Sequence, residues 1–443
     1  MRHGSRATLA ESRTSRRGKE RRGRLEAAPR APLRAGGCGA AGEPGDAKSP
    51  AGQEGKGLPV APETQAAPHA EPAKLRVAVL FGGGPGEHEV SLGSAASVLA
   101  ALDRQRYDVL PVGITRDGRW RLVAEPADLR SLDAAGLAAR EVVLRPAGGS
   151  ASLVCLGSPG EAGEMPIDVV FPVLHGTFGE DGTLQGMLEM SGVPYVGAGV
   201  LGSACGMDKL IMKALFAAAG LPQPAYVPVL ARDWQRDHRA VIDRIEAALR
   251  YPLFVKPANA GSSIGVHKAT TRCDLAAALQ DAMRYDRRLV VEQGITGREL
   301  ECGVLGNDEP AASVVGEIIP AGEFYDYQAK YGDRGSQVII PANLPQEIAE
   351  RVRGLAVAAF KAVDAAGMGR VDFFLEEPTQ RVYVNEINTI PGFTAISAYP
   401  KLWAAAGLPY RRLLDRLIEL ARERHAARAR LLTAFDEAVS PPS

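Results

Sequence analysis

Near its C-terminus the chain reads Gly369-Arg370-Val371-Asp372-Phe373-Phe374-Leu375 and, five residues on, Arg381-Val382-Tyr383-Val384-Asn385-Glu386-Ile387-Asn388-Thr389. Both flanks are rich in β-branched and aromatic residues, and Glu376-Glu377-Pro378-Thr379-Gln380 reads as the turn of a hairpin. A hairpin centred near Thr379 sets Asp372 opposite Glu386 and Arg370 opposite Asn388. Side chains alternate along a strand, so these four share one face, while Val371, Phe373, Leu375, Tyr383 and Ile387 take the other, toward the core. Two carboxylates and an amide oxygen side by side repel one another unless a hard cation sits between them. Mg²⁺ takes such oxygen ligands and completes its shell with water and phosphate. A solvated polar face on an edge hairpin is the plainer reading. The interleaved arginine and the Asn388-Thr-Ile-Pro-Gly392 segment that follows at once favour the cation.

A second set of residues suits an anion. Lys256 closes the apolar strand Leu253-Phe-Val-Lys256, where a lysine needs an anionic partner. Beyond Pro257 comes Ala258-Asn-Ala-Gly261-Ser262-Ser263-Ile-Gly265-Val266. A Gly/Ser loop between two strands offers backbone N–H groups and hydroxyls to phosphate oxygens, where an ordinary hairpin turn would offer nothing in particular. The strand from Leu289 ends in Glu292-Gln293-Gly294-Ile295, residues able to hydrogen-bond an adenine edge, and Glu299 follows on the next strand. A helix from Met207 to Ala219 carries Asp208 and Lys209 in its first turn and stops at Gly220.

The elements that must position these groups begin at Leu75-Arg-Val-Ala-Val-Leu-Phe81, an apolar run suited to a buried parallel strand. Glycines 82–84 and Gly86 follow, then a helix from Glu89 to Leu102, so strand, glycine loop and helix form an α/β opening. The G-x-G-x-x-G spacing of a dinucleotide site is not clean. Asp168 to Leu174 is another buried strand, running into His175-Gly-Thr-Phe-Gly-Glu-Asp-Gly-Thr-Leu-Gln-Gly186. Ligands in α/β sheets bind beyond the carboxyl ends of strands, which is where both loops lie. Residues 321–340 are polar and aromatic without a period, and a long ordered loop in a compact enzyme is usually functional. A helix from Gln346 to Ala366 leads into the hairpin, and beyond about Arg422 the chain reads as a terminal helix and tail.

The chain of 443 residues is long enough for two or three domains, and its formal net charge of zero gives no general attraction to nucleic acid or membrane. No apolar run approaches the length of a membrane span. Five scattered cysteines (Cys38, Cys155, Cys205, Cys273 and Cys302) lack zinc-ligand spacing and read as free thiols in a reducing, cytoplasmic compartment. Residues 1–73 are Arg-rich and then rich in Ala, Pro, Gly and Glu, without hydrophobic periodicity. They read as a disordered extension lacking the apolar centre of a secretory signal, and their Gly and Pro argue against an organellar transit peptide.

Taken in order, His175-Gly-x-x-Gly-Glu-Asp-Gly-x-Leu-Gln-Gly186, Lys256 with Gly261-Ser-Ser263, Tyr325-Asp-Tyr-x-Ala-Lys-Tyr331, Arg370-x-Asp372 and Glu386-x-Asn-Thr-x-Pro-Gly392 resemble the D-alanine–D-alanine ligase family of the ATP-grasp superfamily. The resemblance runs from about Lys74 to Arg422. It implies an α/β fold, α+β in the C-terminal half: a three-domain ATP-grasp ligase with an N-terminal parallel-sheet domain at 74–205, a central domain at 206–291 and a C-terminal domain at 292–425, followed by a tail at 426–443. ATP would lie between the central and C-terminal domains, lined by Lys209, Lys256, Gly261, Ser262, Ser263, Glu292, Gln293, Ile295 and Glu299. Asp372, Glu386 and Asn388 would hold two Mg²⁺ (or Mn²⁺), with Glu386 bridging.

By the same resemblance Glu89 binds the ammonium of the first D-alanine, with His175 beside it, and Lys330, Ser397 and Ala398 meet the second. Arg370 and the backbone N–H of Gly392 are donors to the tetrahedral oxyanion. Glu89, Ser262 and Tyr331 form a hydrogen-bonded group that closes a loop over the site. The implied reaction is ATP-dependent formation of D-alanyl-D-alanine through an acyl phosphate, for peptidoglycan precursors, by a cytoplasmic homodimer.

Gln293 departs from the lysine frequent in the family, and Ala398 from a larger apolar residue. The second departure leaves room for a D-alanine–D-serine ligase. Tyr331 speaks against D-lactate, for which the family typically carries histidine. A catalytically silent ATP-binding regulator is a further alternative, opposed by the complete set of Lys256, Arg370, Asp372, Glu386 and Asn388.

Overall fold

The computed structural model describes residues 74–432, apart from 85–86, 124–128, 130–139, 148–149, 158–162, 320–336, 378 and 395. The extension at 1–73, the tail beyond 432, and the Tyr325–Tyr331 segment with Lys330 and Tyr331 lie outside the described residues.

The apolar run at Leu75 becomes strand β1 (Leu75–Gly82), with Val77 to Phe81 buried. It pairs in parallel with β2 (Tyr107–Ile114) on one side and, at the other end of this stretch of chain, with β7 (Val169–Pro172). Between these come β3 (Trp120–Leu122), β4 (Arg140–Pro146), β5 (Ala151–Cys155) and β6 (Glu164–Ile167), which extend the sheet antiparallel. The strand order is β6-β5-β4-β3-β2-β1-β7. One face of β1 and β7 packs Val77, Val79, Phe81 and Phe171 against Leu99 of the helix His88–Ala101 and Leu414 and Leu417 of the helix Tyr410–Ala429. Parallel pairing puts the ends of β1 and β7 at one edge, so the glycine loop at 82–84 and the loop starting at His175 emerge together.

The second sheet contains β8 (Tyr226–Leu230), β9 (Leu253–Pro257), β10 (His267–Ala269) and β11 (Arg288–Gln293), in the order β10-β9-β11-β8 and antiparallel throughout. The third contains β12 (Gly297–Gly306), β13 (Ala311–Ile319), β14 (Gln337–Ile339), β15 (Gly367–Glu376) and β16 (Arg381–Asn388), in the order β14-β13-β12-β15-β16. Helix Gln346–Ala362 covers its inner face, Val352, Ala356 and Phe360 meeting Val371, Phe373 and Leu375. Met212 and Phe216 join that core, so the helix Lys209–Ala218 is anchored to the third sheet while its N-terminal residue faces the second.

Two local expectations change. The Met207–Ala219 segment is broken: one helix ends at Met207, and Asp208 caps the next by accepting from Ile211 N at 3.1 Å. Tyr383 does not take the core face. A β-bulge leaves Asn385 unpaired between Asp372↔Glu386 and Phe373↔Val384, which flips the alternation beyond it and buries Val382 and Val384 instead.

Candidate active site

The hairpin register is the one its alternation predicts: Asp372 lies opposite Glu386, and Arg370 opposite Asn388. On the other side of β15, Glu301 lies opposite Asp372, a third carboxylate in the same row. Arg370 answers this charge. Its Nε donates to Asp372 Oδ1 at 2.7 Å and its Nη2 to Oδ2 at 2.8 Å, and Nε is 3.4 Å from Glu301. Asn388 Nδ2 donates to Asp372 Oδ2 at 3.0 Å, so its amide oxygen is the atom a cation would take. The donor set of Asp372, Glu386 and Asn388 is all oxygen and fits a hard divalent ion. Among the described residues no three Asp, Glu, His or Cys side chains are placed to hold a metal ion by themselves, so phosphate and water oxygens would have to complete the shell.

Two lysines join this face to the Gly/Ser loop. Lys209 Nζ donates to Ala260 O at 2.9 Å and stands 3.4 Å from Glu386. Lys256, on β9, has its Nζ 2.5 Å from Glu292 and donates at 3.3 Å to Asn385 Oδ1, the side chain that the bulge re-aims. Within the loop Ser262 and Ser263 both adopt left-handed backbone (φ 47° and 57°), a conformation that non-glycine residues hold only where surroundings enforce it, and Ile264 N closes the turn on Gly261 O at 3.0 Å. Glu292 is buried, which alone would raise its pKa, but Lys213 and Lys256 outweigh burial and bring it down to about 2. Burial likewise opposes the charge on Lys256, and Glu292 and Glu386 override it, so its pKa ends above the ordinary lysine value. Glu299 lies on the Glu301 face of β12 and adds to the field at Lys256.

Ile295 is half-buried just past β11. Gln293 is not directed toward the expected nucleotide site. Its Nε2 donates to Arg250 O at 2.5 Å and its Oε1 accepts from Arg250 N at 2.8 Å, because alternation along β11 turns it away from the Glu292 face.

At the carboxyl ends of β1 and β7 the expectation for Glu89 fails. Its side chain is exposed and pairs with Arg116 at 2.7 Å, as the helix His88–Ala101 carries it outward. Glu87, one residue before that helix, takes the place: Ser262 Oγ donates to its carboxylate. A Cβ on Gly261 would meet that carboxylate at 3.2 Å, and one on Gly176, whose φ of 68° also disfavours a side chain, would collide with it.

His175 reaches the site with both nitrogens engaged. Nδ1 is 3.0 Å from Ile390 O, and Nε2 is 3.2 Å from Ser94 Oγ, which accepts from Phe393 N. Burial holds its pKa below the usual histidine value. It ties the loop after β7 to the Ile390–Phe393 segment and to the helix His88–Ala101. Glu180 ties the same loop to Ile390 from within the glycine motif, accepting from Gly176 N at 2.9 Å and Ile390 N at 3.2 Å, with burial and then Glu87 pushing its pKa up to about 8. Gly392 packs against Ser397, whose Oγ accepts from Thr394 N at 3.0 Å, and Ala398 is buried at the start of the helix Ala398–Ala405.

A separate cavity of about 920 Å³, lined by Tyr195, Asn307, Lys361 and Arg424 among others, contains none of these residues. Among the described residues no helix is long and apolar enough to cross a membrane.

Comparison with known proteins gives a consistent picture. Family models described as D-ala D-ala ligase N-terminus and C-terminus match residues 76–198 and 215–419. The D-alanine--D-alanine ligase of Geobacillus thermodenitrificans is 50% identical over 372 residues, covering 82% of this chain and 100% of that one. That of Heliobacterium modesticaldum is 51% identical over 364 residues, covering 81% and 98%. Among solved structures, the D-alanine-D-alanine ligase from Coxiella burnetii matches with a TM-score of 0.71 at 39% identity, over 81% of this chain and 97% of that one. The VanG D-Ala:D-Ser ligase from Enterococcus faecalis matches with a TM-score of 0.70 at 37% identity, over 79% and 100%.

Proposed function

The chain belongs to the D-alanine–D-alanine ligase family, and from that premise we propose how its residues divide the work. The protein joins two D-alanines to D-alanyl-D-alanine at the expense of ATP, for peptidoglycan precursors. The observation that carries the site reading is Lys209, which touches the Gly/Ser loop at Ala260 and the carboxylate face at Glu386 with one ammonium group. A phosphate chain lying along that loop would therefore end at the Asp372–Glu386–Asn388 face. The same three residues would hold two Mg²⁺ or Mn²⁺, which when bound draw charge off the γ-phosphoryl group.

A carboxylate is a poor acylating agent, so the first D-alanine is activated by transfer of the γ-phosphoryl group to its carboxylate. Lys209 and Lys256 orient the phosphates and offset their charge, and catalysis is mainly positioning and electrostatics. Ile295 and Glu299 line the nucleotide site, and Glu292 does so from behind, through its ion pair with Lys256. Glu87, in place of Glu89, receives the ammonium of the first D-alanine and, through Ser262, ties the Gly/Ser loop over it. The amine of the second D-alanine attacks the acyl phosphate, phosphate leaves, and Arg370 with the N–H of Gly392 meets the oxyanion. Ser397, Ala398 and Lys330 border the second substrate, and Tyr331 completes the group with Glu87 and Ser262. We divide the chain at 74–205, 206–291 and 292–425, although the first cut falls within the helix Val200–Met207 and the second within β11, and we place the enzyme in the cytoplasm as a homodimer.

A D-alanine–D-serine preference is the second reading, favoured by the small residue at Ala398. An assay of ADP release with a panel of D-amino and D-hydroxy acids, with products identified by mass, decides between them. D-alanyl-D-alanine as main product is expected; ADP release independent of D-alanine would overturn the ligase reading.

A further inference from the structure

Glu292 is held by two lysines of different freedom. Its Oε2 lies 2.5 Å from Lys256 Nζ, and its Oε1 2.5 Å from Lys213 Nζ. Lys256 keeps 12% of its side chain exposed beside the Gly/Ser loop, whereas Lys213 keeps 1%. Lys213 sits on the helix Lys209–Ala218, one turn beyond Lys209 and on the same side, and its Nζ lies 5.4 Å from the centre of the Tyr226 ring. Its contact with Glu292 is an ion pair closed off from water on both sides.

We infer that Lys213 is a positioning residue, the fixed counter-ion of Glu292 that frees Lys256 to turn from that carboxylate to the phosphates of an incoming nucleotide. The inference rests on the reading of Lys256 as a phosphate ligand. A carboxylate removed from water and stripped of its last partner is strongly destabilised. If Lys256 were the sole partner of Glu292, each phosphate contact would be made by breaking a buried ion pair. With Lys213 in place Glu292 stays charged and fixed whether Lys256 points to it or to the ligand. Lys213 itself is too enclosed to reach a nucleotide, and the Tyr226 ring suits a cation that does not move.

The test compares binding of Mg²⁺-ADP and of adenosine by calorimetry. Adenosine does not call on Lys256. In Lys213→Met the affinity for ADP should fall at least about tenfold, while that for adenosine changes much less. Lys213→Arg should restore part of the loss. Adding Glu292→Gln to Lys213→Met removes the charge that needs a counter-ion, so the double variant should bind ADP more tightly than the single one. It also supplies a neutral pair should the single variant not fold: Glu292→Gln and the double variant should then bind ADP alike, and a further tenfold loss in the double variant would overturn the inference. Equal losses for ADP and adenosine in Lys213→Met, or no gain from the second change, would overturn it as well. If Lys256→Met keeps wild-type ADP affinity, the phosphate reading of Lys256 fails instead.

Discussion

Ser262 donates its hydroxyl hydrogen bond to Glu87, two residues 175 positions apart that close the Gly/Ser loop onto the end of the first sheet. Glu89, two residues on in the first turn of the helix His88–Ala101, pairs with Arg116 in solvent. The two glutamates therefore make a direct comparison. Glu87→Gln should lower D-alanine-dependent ADP release by about 10²-fold, the range expected for a charged group acting at the reacting substrates. Glu89→Gln should cost less than about threefold, since exposed ion pairs contribute little. Equal losses in the two variants would remove Glu87 from the site.

The oxygen ligands of the hairpin are too few to form a metal cage alone. Mg²⁺ without nucleotide should shift the melting temperature negligibly, whereas Mg²⁺-ADP should raise it by several degrees through ligand linkage. Glu386→Gln should keep the fold and lose most of the Mg²⁺-dependent part of that rise, together with phosphoryl transfer. A Glu386→Gln variant with the full Mg²⁺-ADP shift would show that the cations sit elsewhere.

What was legible in the sequence was legible because it was local. The Asp372–Glu386 register follows from a short hairpin and strict alternation, and only the bulge at Asn385, which no composition signal marks, moves Tyr383 off the core. Glu301 could have been read from its spacing of two from Glu299 on one strand. Lys213 carried a signal too, a lysine within Ile211-Met-Lys-Ala-Leu-Phe216 and one helical turn from Lys209. Glu87 turned on whether the helix begins before or after it. The bonds of Glu180 and His175 to Ile390, some 210 residues away, depend on packing between sheets and leave no local trace.

Glu180 gives a prediction in pH. Burial, and then the charge of Glu87, raises its folded pKa from the ordinary 4.5 to about 8. A raised pKa means the folded state favours the neutral acid. Its contribution to stability is therefore complete below the unfolded pKa and is lost as pH rises through the folded one. Glu180→Gln stays neutral but supplies one oxygen where Gly176 N and Ile390 N use two. It should melt below the wild type under acidic conditions, with the gap narrowing toward about pH 8 as the wild type is forced to ionise. A gap independent of pH, in melting curves taken across this range, would show that Glu180 does not titrate there.

The contact between Gly392 and Ser397 separates packing from chemistry at the second-substrate end. A Cβ on Gly392 would stand 2.8 Å from Ser397 Oγ, too close to hold, with Ser397 Cβ next at 3.5 Å. That hydroxyl is fixed by Thr394, through its N–H at 3.0 Å and its Oγ1 at 2.7 Å. Gly392→Ala must therefore turn that hydroxyl away from Thr394 or push the 392 backbone or the Ser397 turn, each of which disturbs the border of the place where the oxyanion would form. Its kcat should fall about 10²-fold, the scale of losing one oxyanion donor, with a smaller change in melting temperature. Removing the hydroxyl in Gly392→Ala/Ser397→Ala leaves an ordinary van der Waals contact, so kcat should recover in part. The KM for the second D-alanine should then stay high, because Ser397 would no longer meet its carboxylate. Steady-state kinetics at saturating ATP, with both D-alanine sites resolved, reads the two effects apart. If the double variant is no faster than Gly392→Ala, steric pressure from Ser397 is not what Gly392 avoids.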